Sequence, residues 1–468
     1  MIPTLRRLAV LFLLLAVPGC PKWTAAAPEP LVRLDGDRLT LHAANQPLTE
    51  ILKALAQQGV RIRIDPRINP TINARFDNRP VTSALAAILR STDHALIWRQ
   101  DGAADAEPRL WEIRIFFKGQ EKRIRPIALR GNLEVVEGKD GSRYVKDILL
   151  LRLGPEMTPA ALAVLMDRLG ATLIDSYPPL GIVRLRLPHG SDVPAVADAI
   201  AGTPGIRGAE PDFAYPLEGG SPLVATSDAS LRPASTFPSP DATVVAVMDS
   251  GLRADYRDNP YIQAAFDAIS PGADVDDALG HGTQMALLAA GAVDPIGVAA
   301  GDTPASPVVA IRAFDDNGLT STYTLMRGID YAIANGARVV SLSWGSASSS
   351  AILETAMAYA AGKGLILVAA AGNAPTGDPV YPAAYAGVIG VGALAPDGKA
   401  WEQSNFGDFV ALSAPGIAEL PVGYNGGPGV YAGTSIATAY TARRIASLLD
   451  RYPDADRETL LKLLREGH

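Results

Sequence analysis

The second half of the chain alternates short apolar runs with longer helical runs, and this alternation constrains the fold more than any other feature. The apolar runs are continuous, as expected of strands buried on both faces, and they occupy residues 244–248, 308–313, 339–342 and 365–369. Helical stretches such as 321–335 and 351–362 lie between them. The pattern predicts an α/β domain over residues 241–468, with a mainly parallel sheet and helices on both faces.

Two shorter blocks, residues 36–118 and 146–216, precede this domain, and each is predicted to be a small β-α-β-β-α-β unit of the α+β class. In the second block, Thr158 and Pro159 are suited to begin a helix that Gly170 ends. In the first, a helix is expected to open at Pro47. Residues 217–240 are rich in Ser, Pro, Gly and Ala without apolar periodicity, and they are expected to be an exposed linker.

The N-terminal 20 residues have the pattern of a secretory signal peptide. Arg6 and Arg7 precede an uncharged apolar run, residues 8–17, which is too short to span a membrane comfortably. Cys20, the only cysteine, follows at the expected cleavage position, which resembles a bacterial lipoprotein signal in which that cysteine is lipidated, although Pro18 departs from the usual pattern. The alternative is an ordinary signal peptide with an incidental cysteine. Both predict export, to the periplasm or as a membrane-anchored lipoprotein.

Composition excludes some classes of protein. With 48% hydrophobic and 19% charged residues, the chain has enough apolar material for a core and is not wholly disordered. The 42 basic and 49 acidic residues give a net charge of −7, so nucleic acid is not expected as a partner. A single cysteine allows no intrachain disulfide and no cysteine-based metal site.

Histidine is scarce, and this narrows the chemistry. Between His189 and His468 the only histidine is His281, which has a glycine on each side. Ser435 lies among small residues before a helical run, where backbone N–H groups favour an anionic intermediate. A serine hydroxyl needs a base, and His281 is the only imidazole in this region. Asp249, at the end of a predicted strand, is the candidate carboxylate to orient that imidazole.

The segments around these residues resemble the active-site segments of the subtilisin family. They read VVAVMDSGL, GHGTQMALLAAG and AGTSIATAYTA, in that family's chain order. The resemblance implies a serine endopeptidase with Asp249, His281 and Ser435 as catalytic residues. LILVAAAGN matches the oxyanion-hole asparagine at Asn373, which would act with the Ser435 backbone N–H.

The segment SLSWG resembles the family's substrate-binding strand, which implies that substrate pairs as an added β-strand with Ser343, Trp344 and Gly345. Several residues depart from the family pattern without removing a reacting group: Gln284, Met285, Leu287, Ile436, Ala439 and Arg443. They bear on helix packing and pocket shape. The competing interpretation is an envelope docking or scaffold protein whose protease-like domain is inactive.

Both small units also resemble known domains. Residues 146–216 resemble the propeptide inhibitor domain of subtilisin-like proteases and end in the typical Glu210-Pro211-Asp212. This implies a zymogen whose tail, 209–215, lies along 343–345 and which cuts itself between Pro216 and Pro240. Residues 36–118 resemble the short N-terminal domain of secretins and TonB-dependent receptors, which implies docking to an envelope or secretion-system partner. A generic α+β spacer is the alternative.

No cofactor is required for the expected chemistry. Two acidic clusters could bind structural calcium, as in many members of that family, although solvated loops are the favoured interpretation: Asp274, Asp276 and Asp277, and Asp315 with Asp316. No zinc-protease spacing of the H-E-x-x-H kind occurs.

Overall fold

The computed structural model describes residues 31–466 apart from 57, 59, 66, 91, 100–108, 122–123, 128–131, 218, 226–236 and 300–302. The predicted signal peptide, 1–20, and the predicted lipidation site at Cys20 therefore lie outside the described residues. The chain separates into two compact units, Met1–Ile124 and Arg125–His468. Among the described residues, no helix combines the length and the apolarity needed to cross a bilayer.

The first unit has two sheets and two helices among its described residues. Its elements are β1 (Leu31–Asp35), β2 (Arg38–Pro47), α1 (Leu48–Ala56), β3 (Arg61–Ile64), β4 (Thr71–Pro80), α2 (Val81–Ile88), β5 (Asp93–Arg99) and β6 (Arg109–Phe116). Strands β1, β2 and β4 form an antiparallel sheet, while β6 pairs antiparallel with β5 and parallel with β3. The predicted β-α-β-β-α-β order runs from β2 to β5, with β1 before it and β6 after it. Pro47 closes β2 instead of opening α1.

The second unit begins with a small antiparallel sheet and two helices. Its elements are β7 (Arg125–Pro126), β8 (Val135–Glu137), β9 (Arg143–Leu153), α3 (Pro159–Leu169), β10 (Thr172–Tyr177), β11 (Ile182–Arg186), α4 (Val193–Ile200) and β12 (Ile206–Pro216). The sheet order is β10-β11-β9-β12. Thr158 caps α3 by accepting from the Ala161 N–H, and Gly170 ends the helix in the left-handed conformation, as predicted.

Strand β9 explains why this small sheet is tied to the following domain. Leu149 and Leu151 lie in a core with α3 and α4, whereas Leu150 lies in the core of the following domain. Successive side chains of a strand point to opposite faces, so the continuous apolar run at Leu149, Leu150 and Leu151 is explained by burial on both faces. The sheet is therefore covered on one face by its own helices and on the other by the next domain.

The rest of the second unit is the predicted α/β domain. Its strands are β13 (Ser221–Ala225), β14 (Val244–Asp249), β15 (Ile262–Asp267), β16 (Val308–Arg312), β17 (Leu319–Ser321), β18 (Ala337–Leu342), β19 (Ile366–Ala370), β20 (Val388–Leu394), β21 (Val410–Pro415), β22 (Ile417–Leu420) and β23 (Gly429–Ala432). Its helices are α5 (His281–Ala290), α6 (Thr322–Ala334), α7 (Ala351–Gly362), α8 (Thr434–Arg451) and α9 (Arg457–Arg465).

Within the described residues, a seven-stranded parallel sheet in the order β15-β16-β14-β18-β19-β20-β21 forms the centre of this domain. Helices α5 and α8 share one core with the sheet, and α6 and α7 share the other. The expected fold class is confirmed.

The prediction of an exposed linker over 217–240 is wrong for residues 221–225. They form β13, which pairs antiparallel with β23 in a small sheet completed by β22. Two side chains of this strand lie at the surface, Pro222 and Leu223, and Leu223 is 49% exposed. Backbone pairing with β23, which requires no particular side chain, holds the segment in place.

Candidate active site

Asp249 ends the central strand β14. That strand pairs with β16 on one side and β18 on the other, so Asp249 lies at the point where the order of the sheet reverses, where open α/β sheets place their sites. The side chain is buried, and its Oδ1 accepts from the Ser250 N–H at 2.7 Å and contacts His281 Nδ1 at 2.8 Å. Asp249 and His281 are thus brought together as predicted.

His281 is the first residue of α5 and is fully buried. The glycines beside it are required: Gly280 has a φ of 89°, and a Cβ on Gly282 would come within 2.3 Å of the Gly251 carbonyl oxygen. A carboxylate can only accept, so Nδ1 donates to Asp249. Nε2 has no hydrogen-bond partner among the described residues, which leaves it free to take a proton.

Ser435 is the second residue of α8 and is buried. Its Oγ donates to the Ser343 carbonyl oxygen at 3.1 Å, and not to His281. The structure therefore places the nucleophile at the helix start but leaves the Oγ–Nε2 hydrogen bond unmade. Such bonds are often long or misaligned before substrate binds, so a turn of the Ser435 side chain is the step that completes the set.

Asn373 follows β19 and is held by the residue before the nucleophile. Its Oδ1 accepts from both the backbone N–H and the hydroxyl of Thr434, each at 2.9 Å. Because the oxygen is engaged, the Nδ2 amide group is the part left to donate. That arrangement suits an oxyanion donor, and the role of Asn373 remains a prediction.

Asp277 links the residues next to Asp249 and His281 through hydrogen bonds, a role that the sequence did not predict. Its buried carboxylate accepts from the Ser250 hydroxyl at 2.8 Å, from the Gly280 N–H at 2.7 Å, and from the N–H and hydroxyl of Thr283 at 2.8 and 2.7 Å. Ser250 Oγ in turn accepts from the Gly282 N–H at 2.8 Å. This network joins the end of β14 to the start of α5, and so fixes Asp249 relative to His281.

The other acidic residues considered for calcium are engaged with protein groups. Asp274 and Asp276 pair with Arg257, and Asp316 pairs with the buried Arg312. Asp315 accepts from three backbone N–H groups, those of Leu133, Asn317 and Leu319. In the described part of the chain, no group of three metal-ligating side chains lies close together.

The chain itself crosses this site. At the end of β12, Ala214, Tyr215 and Pro216 pair with Ser321, Thr320 and Leu319 of β17, and the Leu217 N–H donates to the Gly318 oxygen at 2.8 Å. Beyond it, a Cβ on Gly220 would lie 2.8 Å from the Ala432 oxygen, close to the start of α8, and β13 follows. The chain between β12 and β13 therefore passes Gly220, which lies against Ala432 and Gly433, just before the helix start that holds Ser435.

The predicted partner of the tail was wrong. The paired strand is β17, and the expected segment 343–345 contributes a ring contact: Trp344 packs on Tyr215 at 5.6 Å between centroids. Sequence reasoning also missed Tyr424, whose ring lies 5.5 Å from His281 and whose hydroxyl donates to the Leu217 oxygen at 3.3 Å. A strand as short as β17 has no apolar pattern, so only its turn at Gly318 could have signalled it.

Two carboxylates of β12 hold the small sheet to the α/β domain. Glu210 accepts from the Ser350 hydroxyl and from the Ala351 N–H at 3.2 Å, at the start of α7. Asp212 accepts from the Tyr323 N–H at 3.0 Å, at the start of α6, and pairs with Arg184 at 3.0 Å. Both use orphan N–H groups of a helix N-terminus. Burial raises the pKa of Glu210 to about 7.

The departures in α8 and α5 are accommodated by packing. Arg443 is fully buried, pairs with Asp294 and lies over the Tyr440 ring, 5.3 Å from its centroid. A Cβ on Gly291 would come within 2.5 Å of the Arg443 guanidinium, so that glycine makes the room. Gln284 donates to the Val422 oxygen at 2.7 Å.

Comparison with known proteins identifies two regions of similarity. The model described as Subtilase family matches residues 241–466. The model described as Fervidolysin N-terminal prodomain matches residues 131–212, which contain most of the predicted propeptide unit.

Individual proteases resemble the chain over the α/β domain. It is 36% identical to minor extracellular protease Epr of Bacillus subtilis, over 48% of this chain and 34% of that protease. It is 36% identical to a thermostable alkaline protease of Halalkalibacterium halodurans, over 45% of this chain and 57% of the relative. For thermitase of Thermoactinomyces vulgaris the identity is 32%, over 44% of this chain and 74% of thermitase. The chain thus spans one third to three quarters of the length of these relatives.

One solved structure extends the likeness beyond the α/β domain. The crystal structure of fervidolysin from Fervidobacterium pennivorans aligns with a TM-score of 0.54 and 22% identity, over 72% of this chain and 61% of fervidolysin. At that identity the likeness concerns the fold.

Proposed function

Because the chain belongs to the subtilase family, we propose that it is an exported serine endopeptidase made as a zymogen. The observation that carries the proposal is the buried pair of Asp249 and His281, 2.8 Å apart, beside the helix start that holds Ser435. Protein or peptide chains are the substrates, and the reaction is hydrolysis of a peptide bond.

In the proposed reaction, Ser435 Oγ attacks the scissile carbonyl carbon while His281 Nε2 takes the proton. Asp249 keeps the imidazole in the tautomer that presents Nε2 and stabilises the imidazolium that forms. The Asn373 amide and the Ser435 backbone N–H donate to the oxyanion. His281 then gives the proton to the leaving amine, and water releases the acyl group by the same route. Only the Ser435 Oγ bond to the Ser343 oxygen must break before attack.

The zymogen part of the proposal rests on the segment that crosses the site. Residues 214–216 are paired with β17 and residues 221–225 with β23, and Gly220 lies against Gly433, two residues before Ser435. We assign the cut to the central bond, Glu218–Gly219. The prodomain would then keep its paired tail in the cleft and block substrate after the cut, as a strand added to β17.

Export is supported by the first 20 residues and by the similarity to minor extracellular protease Epr, and the proposal of membrane attachment rests on Cys20. In this proposal Cys20 is lipidated after removal of the signal peptide. Metabolic labelling with a fatty acid should mark the wild type and spare Cys20→Ser. Equal labelling of both, or of neither, would reduce the segment to an ordinary signal peptide.

The first unit lies outside both family matches, and we propose that it docks the protease to an envelope or secretion-system partner. Support comes from its compact α+β form, with a core that includes Leu48, Ile51 and Leu52 of α1. Crosslinking in cells should capture the same envelope protein with wild type and Ser435→Ala. It should capture none when residues 31–124 are deleted, and an unchanged capture would contradict the docking role.

A probe that reacts with activated serines tests the enzymatic proposal. The processed wild type should be labelled and Ser435→Ala should not. Ser447→Ala, a buried serine on the same helix, is the matched control and should label like the wild type. A scaffold protein with an inactive protease-like domain would label in none of the three.

A further inference from the structure

Strand β23 leads directly into the nucleophile helix, and one of its edges faces the chain's own junction segment. It lies between β22 and β13, and Ala432 is followed by Gly433 and the start of α8. Its edge toward β22 is paired with the domain itself. Its other edge is paired only through β13, which comes after the proposed cut. Strand β13 thus occupies the leaving-group side of the cleft.

The pairing of β13 with β23 depends on the backbone. Ser221 pairs with Ala432 and Pro222 with Tyr431, and after a register shift the pairing continues to Ala225 opposite Gly429. Leu223 is 49% exposed and Pro222 is exposed, so neither side chain fills a pocket. The Ser221 hydroxyl makes one long hydrogen bond, 3.4 Å, to Gln403. A strand held in this way can be exchanged for another of different sequence.

We propose that β23 is a docking edge for the leaving-group side of an extended polypeptide substrate. It would take the third to seventh residues after the scissile bond, the positions of residues 221–225 in the chain's own junction. The proposal rests on the proposed function, and it specifies the substrate class as unfolded or extended protein chains. Recognition is by backbone hydrogen bonds and therefore tolerates most side chains.

A series of peptides tests this edge in the protein purified after self-cleavage, with both fragments present. All carry the chain's residues 211–218 before the scissile bond and two, four, six, seven or nine residues of its own sequence after it, with cleavage followed by mass spectrometry. We expect kcat/KM to rise from two to seven residues, by about fivefold for each added hydrogen bond, and to stay level beyond seven.

Two modifications of the longest peptide separate backbone from side-chain recognition. Methylation of one backbone nitrogen at a time, at the third, fifth, sixth and seventh positions, should lower kcat/KM at some of them and spare the others, because only every second N–H of a strand faces a given neighbour. The fourth position is Pro222, which has no N–H to methylate. Alanine at the third to sixth positions, one at a time, should change kcat/KM by less than about twofold; the seventh, Ala225, is already alanine.

The possible failures differ. Equal cleavage of all lengths would overturn the docking edge and leave the protease assignment intact. Sensitivity to alanine without sensitivity to N-methylation would also overturn it, in favour of side-chain pockets. Absence of cleavage together with absence of serine-probe labelling would overturn the proposed function and the docking edge together.

Discussion

The two strands on either side of the junction, β12 before it and β13 after it, are held in different ways. On one side, the tail of β12 is anchored by side chains: Tyr215 and Leu217 are 1% and 6% exposed, and Tyr215 packs on Trp344. On the other side, β13 leaves Leu223 49% exposed and depends on its backbone pairing with β23. The residues between them belong to one continuous chain. A cut at that point would therefore create two ends, of which the β12 tail should bind the cleft more tightly than β13.

Because the two ends are bound with different strength, we expect one to stay bound after the cut and the other to dissociate. Burying an aromatic side chain of the size of Tyr215 stabilises a contact by several kcal/mol, whereas a typical hydrogen bond contributes about 1 kcal/mol net. The tail of the prodomain should therefore remain as an inhibitor, while the new N-terminal strand exchanges with substrate. The four substitutions below test this asymmetry, in order of expected effect.

Replacement of His281 by alanine should have the largest effect, since the comparison presupposes that this chain cuts its own junction. Loss of the base should lower the rate of self-cleavage by roughly four to six orders of magnitude, a range measured in the family member subtilisin. A time course on denaturing gels measures it. A variant that is cut as fast as the wild type, in the absence of other proteases, would remove His281 from the mechanism.

Tyr215→Ala should weaken the inhibitor side. The ring is buried against Trp344 and its hydroxyl contacts Thr322 at 2.9 Å, so its loss should cost about 3–5 kcal/mol. That corresponds to a roughly 150- to 4,000-fold weaker binding of the cut prodomain. In the wild type, peptide hydrolysis should begin only after a lag, while the cut prodomain is still bound. In Tyr215→Ala it should begin as soon as the junction is cut. An unchanged lag would mean that the prodomain body, and not its tail, sets the affinity.

The hold of the prodomain should also depend on pH through Glu210. Burial raises its pKa to about 7 in the complex, from an ordinary value of 4.5, so the bound state prefers the protonated carboxyl. Inhibition should be strongest below pH 4.5 and should weaken by about tenfold or more as the pH rises through 7.

Activity of the processed mixture, divided by that of the isolated mature fragment at each pH, removes the pH dependence of catalysis itself. Glu210→Gln, which stays neutral, should flatten this ratio. A ratio that falls with rising pH in the wild type would reverse the sign of the linkage and contradict the assignment to Glu210.

Leu223→Ala should have the smallest effect. Half of that side chain is exposed, so its truncation should change the rate of self-cleavage and the later hydrolysis of peptides by less than about twofold. The same assays as for Tyr215→Ala measure it. A loss comparable to that of Tyr215→Ala would abolish the contrast between the two strands.

What the sequence could predict depended on side chains with local, periodic roles. Helix α7 has the predicted bounds, and the caps of α3 at Thr158 and Gly170 are those expected. His281 was recognised because it is the only histidine between His189 and His468, and Asp249 because it ends a predicted strand; the two meet at 2.8 Å.

What the sequence could not predict depended on the backbone or on distant partners. Strands β13 and β17 are fixed by pairing with remote strands, which leaves no periodic pattern. Asp277 has the composition of a surface acid, and only the folded chain brings its four donors together. The orientation of the Ser435 hydroxyl toward the Ser343 oxygen depends on a single torsion, which no sequence motif encodes.

The central claim is that this chain cuts its own junction with Ser435, and N-terminal sequencing of the purified protein tests it most directly. The wild type should yield a fragment that begins at Gly219 and hydrolyses peptides, and Ser435→Ala should remain intact between residues 31 and 466. A wild type that hydrolyses peptides while its junction stays uncut, or a Ser435→Ala variant cut at the same bond with no other protease present, would contradict the account.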